Sequence, residues 1–315
     1  MNSSNPNYVL HAPRASKPAN CHEHKFTLYP GAKFCIYPYF RLGFYMEEKF
    51  IDVEKIIRSK NEKLLRLLPG FILRYLKRIL HQKEINRIIA ENKELKNQDF
   101  CKDVIRRFNI KLTVSGEENI PTEGGAIFAA NHPLGGMDAM ALVDVFSKHR
   151  SDIRFIVNDI LMNLENLKGL FVGVNKHGAN AKSSLQEVEN LFGSDKAVFV
   201  FPAGLVSRKK NGIVRDLEWK KTVITRAKKN EKPIVPVLIQ GELSNFFYRL
   251  SNLREWLGVK VNIEMLYLVN ELFKQKNRTI HIIFGQPIWP EQFTDKRTDK
   301  EWAEWLKASV YKLGE

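Results

Sequence analysis

Residues 126–148 read AIFAANHPLGGMDAMALVDVFSK, in which an apolar run is followed by a glycine-containing turn and a second apolar segment. The first run, 126–130, is short, uncharged and bounded by turn residues, which predicts a buried strand. The second, 138–148, is long enough for a helix. A strand that leads through a short loop into a helix is the repeating unit of α/β folds, so this stretch indicates the fold class.

The same alternation continues through the rest of the chain. Further strands are predicted at 110–114, 153–157, 197–201, 234–239 and 279–284, and helices at 181–192, 217–228, 242–275 and 290–313. Strands separated by helices form parallel or mixed sheets whose two faces are both covered. The predicted fold class is therefore α/β, with a mixed, largely parallel sheet covered by helices and an N-terminal helical extension.

Three regions are predicted along the chain. Residues 1–45 are rich in Asn, Ser and Pro near their start and lack periodicity, so we expect disorder there, or upstream sequence before a true start at Met46. The cluster Cys21-His22-Glu23-His24 lacks the second half of a zinc pattern, so no metal site is predicted. Residues 46–109 are expected to form a helical, membrane-associating region, and residues 110–315 the domain that carries the chemistry.

The helix predicted at 71–80 has two different faces. Arg74, Lys77 and Arg78 share one face at spacings of three and four, and apolar side chains occupy the other. Such a basic amphipathic helix can lie in a membrane interface. The alternative is an ordinary surface helix that packs its apolar side on the core. The sequence leaves both possibilities open.

The composition bounds the partners of the protein. Its 315 residues carry a formal charge of +15, which favours an acidic partner such as nucleic acid, anionic lipid or an acidic carrier protein. The Lys and Arg residues are spread along the chain without a nucleic-acid motif, so nucleic acid is not the expected partner. Three scattered cysteines indicate a reducing compartment. Without a recognisable signal peptide or an uncharged stretch of about 18 residues, we expect a peripheral protein on the cytoplasmic face of a membrane.

The loop between the strand at 126–130 and the following helix carries the candidate chemistry. Ligands bind at the carboxyl ends of strands in open α/β sheets, and His132 lies at such an end. Its imidazole can accept a proton from a hydroxyl near neutral pH. Gly135 and Gly136 allow the loop to fold back so that Asp138 could hold one ring nitrogen. Backbone N–H groups of the same glycines are candidates for stabilising an oxyanion.

The chain contains no G-x-S-x-G motif and no catalytic cysteine context, so the attacking hydroxyl is expected to come from a substrate. The alternative for the same residues is a structural one. Asp138 would then only cap the helix, and His132 would make a loop hydrogen bond.

A second motif, FPAGLVSRKK at 201–210, also follows a predicted strand. Pro202 and Gly204 shape a tight loop, and Ser207 and Arg208 can offer a hydroxyl and a guanidinium to an anionic group. The alternative is a solvated charged loop.

These motifs resemble the glycerolipid acyltransferase family, typified by lysophosphatidic acid acyltransferases, over about residues 110–290. Four blocks occur in the order of that family: NHPLGGMD at 131–138, GLFVGVNK at 169–176, FPAGLVSR at 201–208 and IVPV at 234–237. The resemblance implies that His132 and Asp138 are catalytic. It also implies substrate-binding roles for Asn131, Gly135, Gly136, Lys176, Phe201, Pro202, Gly204, Ser207 and Arg208.

Three departures narrow the resemblance. Five residues instead of four separate His132 and Asp138, Ala203 replaces a usual Glu, and Lys176 stands where an Arg is expected. These blocks look like the ornithine-lipid branch, which includes proteins named hemolysins and acylates the hydroxyl of N-(3-hydroxyacyl) amino acids.

The implied activity is transfer of a fatty acyl group from acyl carrier protein or coenzyme A to a lyso-ornithine or lyso-glycine lipid, with no cofactor and no metal. A 1-acylglycerol-3-phosphate acyltransferase is the alternative in the same class. A non-catalytic binder of anionic membranes or nucleic acid is the alternative in a different class.

Overall fold

A seven-stranded sheet organises the protein, with the strand at 126–130 in its middle. The computed structural model describes residues 50–158, 162, 164–174 and 181–315, all within one compact unit, Glu48–Glu315. The predictions for residues 1–45, including the cluster at 21–24, fall outside the described residues, as does Lys176.

The sheet has the order β1-β9-β8-β2-β5-β3-β4. The strands are β1 Lys111–Ser115, β2 Ala126–Ala130, β3 Ile153–Asn158, β4 Phe171–Val174, β5 Ala197–Val200, β8 Ile234–Gln240 and β9 Thr279–Phe284; β6 Arg208–Lys210 and β7 Ile213–Arg215 form a separate hairpin. All neighbours are parallel except β8 and β9, which run antiparallel. The predicted fold class, a mixed and largely parallel α/β sheet, is confirmed.

Helices cover both faces of the sheet. They are α1 Val53–Lys60, α2 Glu62–Leu67, α3 Gly70–Ile79, α4 Gln82–Glu91, α5 Asn97–Arg107, α6 Gly136–Phe146, α7 Ala181–Gly193, α8 Thr222–Asn230, α9 Asn245–Trp256, α10 Leu268–Phe273 and α11 Asp299–Lys312. Helices α5 and α6 pack on one face, and α7, α8 and α11 pack on the other. None of the helices in the described ranges is long and apolar enough to cross a bilayer.

Three predicted helices have different bounds in the structure. The helix predicted at 242–275 is two helices, because Gly258 adopts a left-handed φ of 68° after α9 and a 3₁₀ turn, Ile263–Tyr267, precedes α10. The last helix begins at Asp299 instead of 290, because Thr298 and Glu301 form a capping box there. Helix α8 begins only at Thr222, after the segment predicted to open it.

Aromatic packing fixes the centre of the sheet. Phe128 of β2 stacks on Phe199 of β5 with 4.5 Å between ring centroids, and Phe146 of α6 meets Phe128 edge-on at 5.0 Å. Phe284 of β9 approaches the same ring from the other side. Offset and edge-on contacts of this kind add to the burial of the rings themselves. The strand that leads into the candidate site is therefore rigidly held.

Helix α3 is covered on only part of its apolar side. Ile79 is buried, whereas Phe71 and Tyr75 are exposed, and Arg74 and Arg78 lie in solvent. The tyrosine hydroxyls of Tyr75 and Tyr267 share a hydrogen bond of 2.7 Å, which joins α3 to the turn before α10. Packing on the core therefore explains the apolar residue at Ile79, but it does not explain the exposed Phe71 and Tyr75.

Two glycines with the same backbone conformation differ in their surroundings. Gly116 has φ +75°, and an added Cβ would lie 2.0 Å from the carbonyl oxygen of Phe284. Gly124 has φ +74°, and an added Cβ would meet nothing within 4 Å. We expect Gly124→Ala to cost about 1–2 kcal/mol of unfolding free energy from backbone strain alone. Gly116→Ala should cost clearly more, because β1 and β9 must also separate.

Chemical denaturation of the two variants beside wild type measures this difference. Equal destabilisation would mean that the contact between residue 116 and Phe284 does not constrain the β1–β9 edge.

Candidate active site

Asn131 fixes the point at which β2 ends and the loop begins. Its side-chain Nδ2 donates to the carbonyl oxygen of Ile239 at 2.9 Å, and the Ile239 N–H donates to Asn131 Oδ1 at 2.7 Å. The amide thus extends the pairing between β2 and β8 by one further rung. Both polar groups of this buried side chain are hydrogen-bonded to the backbone of Ile239. The structure therefore gives Asn131 a structural role.

His132 and Asp138 meet as the spacing predicted. The distance from His132 Nδ1 to Asp138 Oδ2 is 2.9 Å, and the Leu134 N–H donates to the same carboxylate oxygen at 2.9 Å. Because Nδ1 faces the carboxylate, it carries the proton, and Nε2 is left as the acceptor. Nε2 has no partner within the described part of the chain. The imidazole is therefore in the form that a general base requires.

Asp138 is fully buried, and this shapes its electrostatics. Burial raises the pKa of its carboxyl group above the ordinary value, while the hydrogen bond from His132 opposes that rise. Its second oxygen, Oδ1, has no hydrogen-bond partner among the residues that the structure describes. A carboxylate so poorly solvated is stabilised strongly by a positive charge on His132. The pair is suited to holding an imidazolium during a reaction.

Gly135 and Gly136 form the turn that leads from the His132 loop into α6. Gly135 has φ +68°, and Gly136 is the first residue of α6. An added Cβ on Gly136 would lie 3.3 Å from a methyl group of Leu272, and one on Gly135 would lie 3.5 Å from Val206. First-turn N–H groups of a helix lack intrahelical partners and carry partial positive charge. This turn therefore offers donors for a developing negative charge.

Asp216 is a site residue that the sequence analysis missed. Its Oδ1 accepts from the His132 N–H at 3.2 Å and from the Ser207 hydroxyl at 2.5 Å. Its Oδ2 accepts from the Trp219 indole at 2.9 Å, and the Asp216 N–H donates to the Tyr311 hydroxyl at 2.8 Å. The Ser207 N–H also donates to the His132 carbonyl at 2.8 Å. Asp216 thus joins the two sequence motifs through its carboxylate and contacts α11 through its backbone N–H.

The residues of the FPAGLVSR motif contact mainly other protein groups. The Phe201 ring stacks on His132 with centroids 4.1 Å apart. The Pro202 carbonyl accepts from the Lys220 N–H at 3.1 Å, and the Gly204 N–H closes a turn on the Phe201 carbonyl at 2.9 Å. The Ser207 hydroxyl is occupied by Asp216. The motif therefore holds the His132 ring through the stacked Phe201 and the His132 backbone through Ser207.

Arg208 is not presented to solvent. It is buried, with Nη2 donating to Glu264 Oε1 at 2.8 Å and Nη1 to the Val206 carbonyl at 2.6 Å. Lys209 pairs with Glu242 at 3.0 Å, and Lys210 pairs with Glu255 at 3.2 Å. Arg208, which was expected to meet an anionic group, is thus already paired with a protein carboxylate, and so are the neighbouring Lys209 and Lys210.

Lys220 is a different kind of cation. Its ammonium lies 2.7 Å from the position that a Cβ on Gly204 would take, so the bare glycine leaves room for it. Lys220 is exposed and forms no ion pair with any described residue. A free positive charge is thus present at the loop whose first residue, Phe201, packs on His132.

The Asp216 network generates a prediction. Asp216→Asn keeps the shape of the side chain but can accept at only one oxygen, so it loses one of three hydrogen bonds and leaves a buried donor unpaired. We expect a loss of about 1–3 kcal/mol in unfolding free energy, with a fall in kcat because His132 is less well fixed. Denaturation and steady-state kinetics check both. Wild-type kcat with unchanged stability would contradict the supporting role of Asp216.

The chain is similar to known proteins over most of its length. An acyltransferase family model matches residues 55–315. The chain is 45% identical over 264 residues to a lyso-glycine lipid O-acyltransferase of Bacteroides thetaiotaomicron, covering 84% of this chain and 97% of that protein. It is 40% identical to a lyso-glycine lipid O-acyltransferase of Phocaeicola vulgatus, covering 84% and 95%.

A solved structure is also similar. It is the crystal structure of the 1-acyl-sn-glycerophosphate (LPA) acyltransferase PlsC from Thermotoga maritima, with a TM-score of 0.45, 18% identity, and coverage of 76% of this chain and 95% of that chain. The family model and the two sequence relatives confirm the resemblance derived from the four blocks. The chain belongs to the acyltransferase family, and it is an enzyme of that class.

Proposed function

We propose that this enzyme transfers a fatty acyl group from a thioester to the hydroxyl of a lyso-glycine lipid. The observation that carries the proposal is the His132–Asp138 pair, with Nδ1 held by a buried carboxylate and Nε2 free. The two sequence relatives, which match nearly over their whole length, favour glycine over ornithine as the amino acid of the acceptor.

The reaction is a direct transfer in which the protein acts through a proton. His132 Nε2 takes the proton from the acceptor hydroxyl, and the hydroxyl oxygen forms a bond to the thioester carbonyl carbon. When the tetrahedral intermediate collapses, the carbon–sulfur bond breaks, and the leaving thiolate takes the proton back from His132. Asp138 stabilises the imidazolium between these two steps. The products are the diacylated lipid and a free thiol.

The negative charge on the carbonyl oxygen needs donors that are already in place. N–H groups at the start of α6, around Gly135 and Gly136, directly follow the loop of His132, and we assign this role to them. A preorganised donor of this kind contributes more than solvent would, because it does not have to reorient during the reaction.

No enzyme nucleophile is assigned in this scheme. Burial raises the pKa of the Cys101 thiol to about 12, which disfavours a thiolate. The Ser207 hydroxyl donates to Asp216, so it is engaged as well. The acyl group therefore passes from donor to acceptor without an acyl-enzyme intermediate.

The acceptor headgroup carries one carboxylate, which calls for one accessible cation. Arg208 is neutralised by Glu264, so we assign that role to Lys220, the unpaired cation at the FPAG loop. The donor is acyl carrier protein or coenzyme A, since both are acidic and the chain carries a formal charge of +15. We place the reaction on an anionic membrane surface at the cytoplasmic face.

Substitutions at His132 and Asp138 test the catalytic pair. His132→Ala should lower kcat at least a hundredfold, because removing a general base typically costs 10²–10⁴ in rate. Asp138→Asn should lose less, because the imidazole remains and only its tautomer is no longer fixed. Steady-state kinetics with a purified acyl donor measure both, and circular dichroism serves as the folding control. An activity of His132→Ala within tenfold of wild type would remove His132 from the mechanism.

A competition between two lipids tests the identity of the acceptor. N-(3-hydroxyacyl)glycine and lysophosphatidic acid are offered together with one acyl donor, and the two products are separated by mass. We expect a higher kcat/KM for the glycine lipid, because Ala203 occupies the position of a usual Glu and Lys220 supplies a single charge.

Lys220→Gln is the matched variant for the headgroup. It should raise KM for the glycine lipid and leave kcat nearly unchanged, whereas Lys229→Gln, which removes a lysine paired with Glu189, should change neither. Preference for lysophosphatidic acid in the wild type would overturn the glycine-lipid assignment and leave the acyltransferase assignment intact.

A further inference from the structure

Exposed apolar side chains are unevenly distributed over the described part of the chain. Sixteen large hydrophobic residues are exposed there, and eight of them fall within residues 246–266. Five more fall within residues 56–75, and only Leu185, Ile213 and Trp289 lie elsewhere. The eight are Phe246, Leu253, Trp256, Leu257, Val259, Val261, Ile263 and Leu266. A concentration of this kind marks an interaction surface, because isolated exposed apolar residues would be scattered.

The two groups of residues adjoin each other. The Phe246 ring packs on Tyr267 with centroids 4.9 Å apart, and the Tyr267 hydroxyl is hydrogen-bonded to that of Tyr75 in α3. A groove of about 430 Å³ lies at this junction, and residues from both groups line it, Arg78 among them. Residues 246–266 and the exposed side of α3 therefore form one surface, which we call the apolar surface.

Polar contacts hold the segment around Gly258 in place. The Arg254 side chain donates to the Val259 carbonyl at 2.9 Å and lies 3.0 Å from the buried Glu264 carboxylate. Glu264 also accepts from Arg208. At the tip, Gly258 has open space around it, and the neighbouring Trp256 is 81% exposed. A defined loop thus presents an indole and several aliphatic side chains to the outside.

Charge on this surface is positive. Its acidic residues are neutralised, since Glu255 pairs with Lys210 and Glu264 is buried between two arginines. By contrast, Arg74, Arg78, Arg249 and Lys260 form no ion pair with any residue that the structure describes. Aliphatic and Trp side chains beside unpaired Lys and Arg match the interface of an anionic bilayer, where the indole lies at headgroup depth.

We propose that the apolar surface docks the enzyme on an anionic bilayer, with Trp256, Leu257 and Val261 entering the interface. The inference rests on the proposed function, because an acceptor that resides in a membrane requires the enzyme to reach it there. The free cations favour a lipid surface over a second copy of this chain, whose own charge is +15 and would repel it.

The apolar surface is also connected to the site. Leu268 and Leu272 belong to α10, which follows the loop directly, and their methyl groups lie within 3.7 Å and 3.3 Å of the Cβ positions of Gly135 and Gly136. Helix α10, which follows the apolar surface along the chain, is thus in contact with the turn beside His132.

Sedimentation with vesicles tests the docking. The vesicles contain equal parts of phosphatidylglycerol and phosphatidylcholine, and the variant combines Trp256→Ser, Leu257→Ser and Val261→Ser. We expect its partition coefficient to fall at least tenfold below wild type. The control combines Trp289→Ser and Leu185→Ser, which are 54% and 55% exposed but lie outside the surface. The control should bind like wild type. Equal binding by the two variants would overturn the proposal.

A spectroscopic readout tests insertion independently of affinity. Brominated phosphatidylcholine in the same vesicles should quench part of the tryptophan fluorescence of the full chain, and Trp256→Phe should remove most of that quenching. Quenching that is unchanged in Trp256→Phe would show that the indole stays outside the interface, which contradicts the proposal. Analytical ultracentrifugation of the triple variant serves as a check on self-association. A shift from dimer to monomer with unchanged vesicle binding would reassign the surface to contact between copies.

Activity separates this inference from the function on which it rests. On a short-chain, water-soluble N-(3-hydroxyacyl)glycine, the triple variant should keep wild-type kcat/KM, and on the vesicle-borne acceptor it should lose at least tenfold. If the wild type acylates neither acceptor, the proposed function fails. If the triple variant keeps full activity on vesicles, only the docking inference fails.

Discussion

A carboxylate with no access to water lies at the start of α6, and the loop that contains His132 is folded around it. Asp138 is completely buried, and burying a charge is costly unless it is paired and hydrogen-bonded. The chain meets this requirement at Oδ2 with the imidazole of His132 and the N–H of Leu134, and Oδ1 has no hydrogen-bond partner among the described residues. Gly135, with its positive φ, permits the reversal that brings these groups together. The orientation of His132 is thus a consequence of satisfying Asp138.

Two further connections make this loop rigid from both sides. Asn131 ties its beginning to β8, and Asp216 ties the His132 backbone to the second motif and to α11. The Phe201 ring then limits the rotation of the imidazole. In the proposed mechanism a proton moves between oxygen, nitrogen and sulfur, so the placement of the imidazole affects the rate. Under that mechanism, the contacts that hold the loop contribute to the rate without touching a substrate.

Much of this architecture was predictable from local sequence. The strand at 126–130, the turn and the pairing of His132 with Asp138 followed from short-range patterns, and the helix-covered sheet followed from alternation along the chain. The residues that were missed make contacts over long separations. Asp216 lies 84 residues from His132, and Glu264 lies 56 residues from Arg208, so no spacing rule links either pair. The helix predicted at 242–275 is divided because Gly258, inside that range, adopts a left-handed φ after α9, and the apolar pattern alone did not indicate this break.

The buried pair between Arg208 and Glu264 has a consequence for how mutational data on such proteins are interpreted. Arg208 belongs to a motif whose composition suggests ligand binding. Its guanidinium, however, is buried and paired with Glu264. Replacing it would remove one of the two arginines that face the buried Glu264 carboxylate and would loosen the loops on either side. An alanine scan scored only by turnover would then rank Arg208 beside His132, although the proposed mechanism uses only His132 for proton transfer and Arg208 has a structural role. In this fold, loss of activity and contact with the reactants are separate properties, and thermal stability measured in parallel tells them apart.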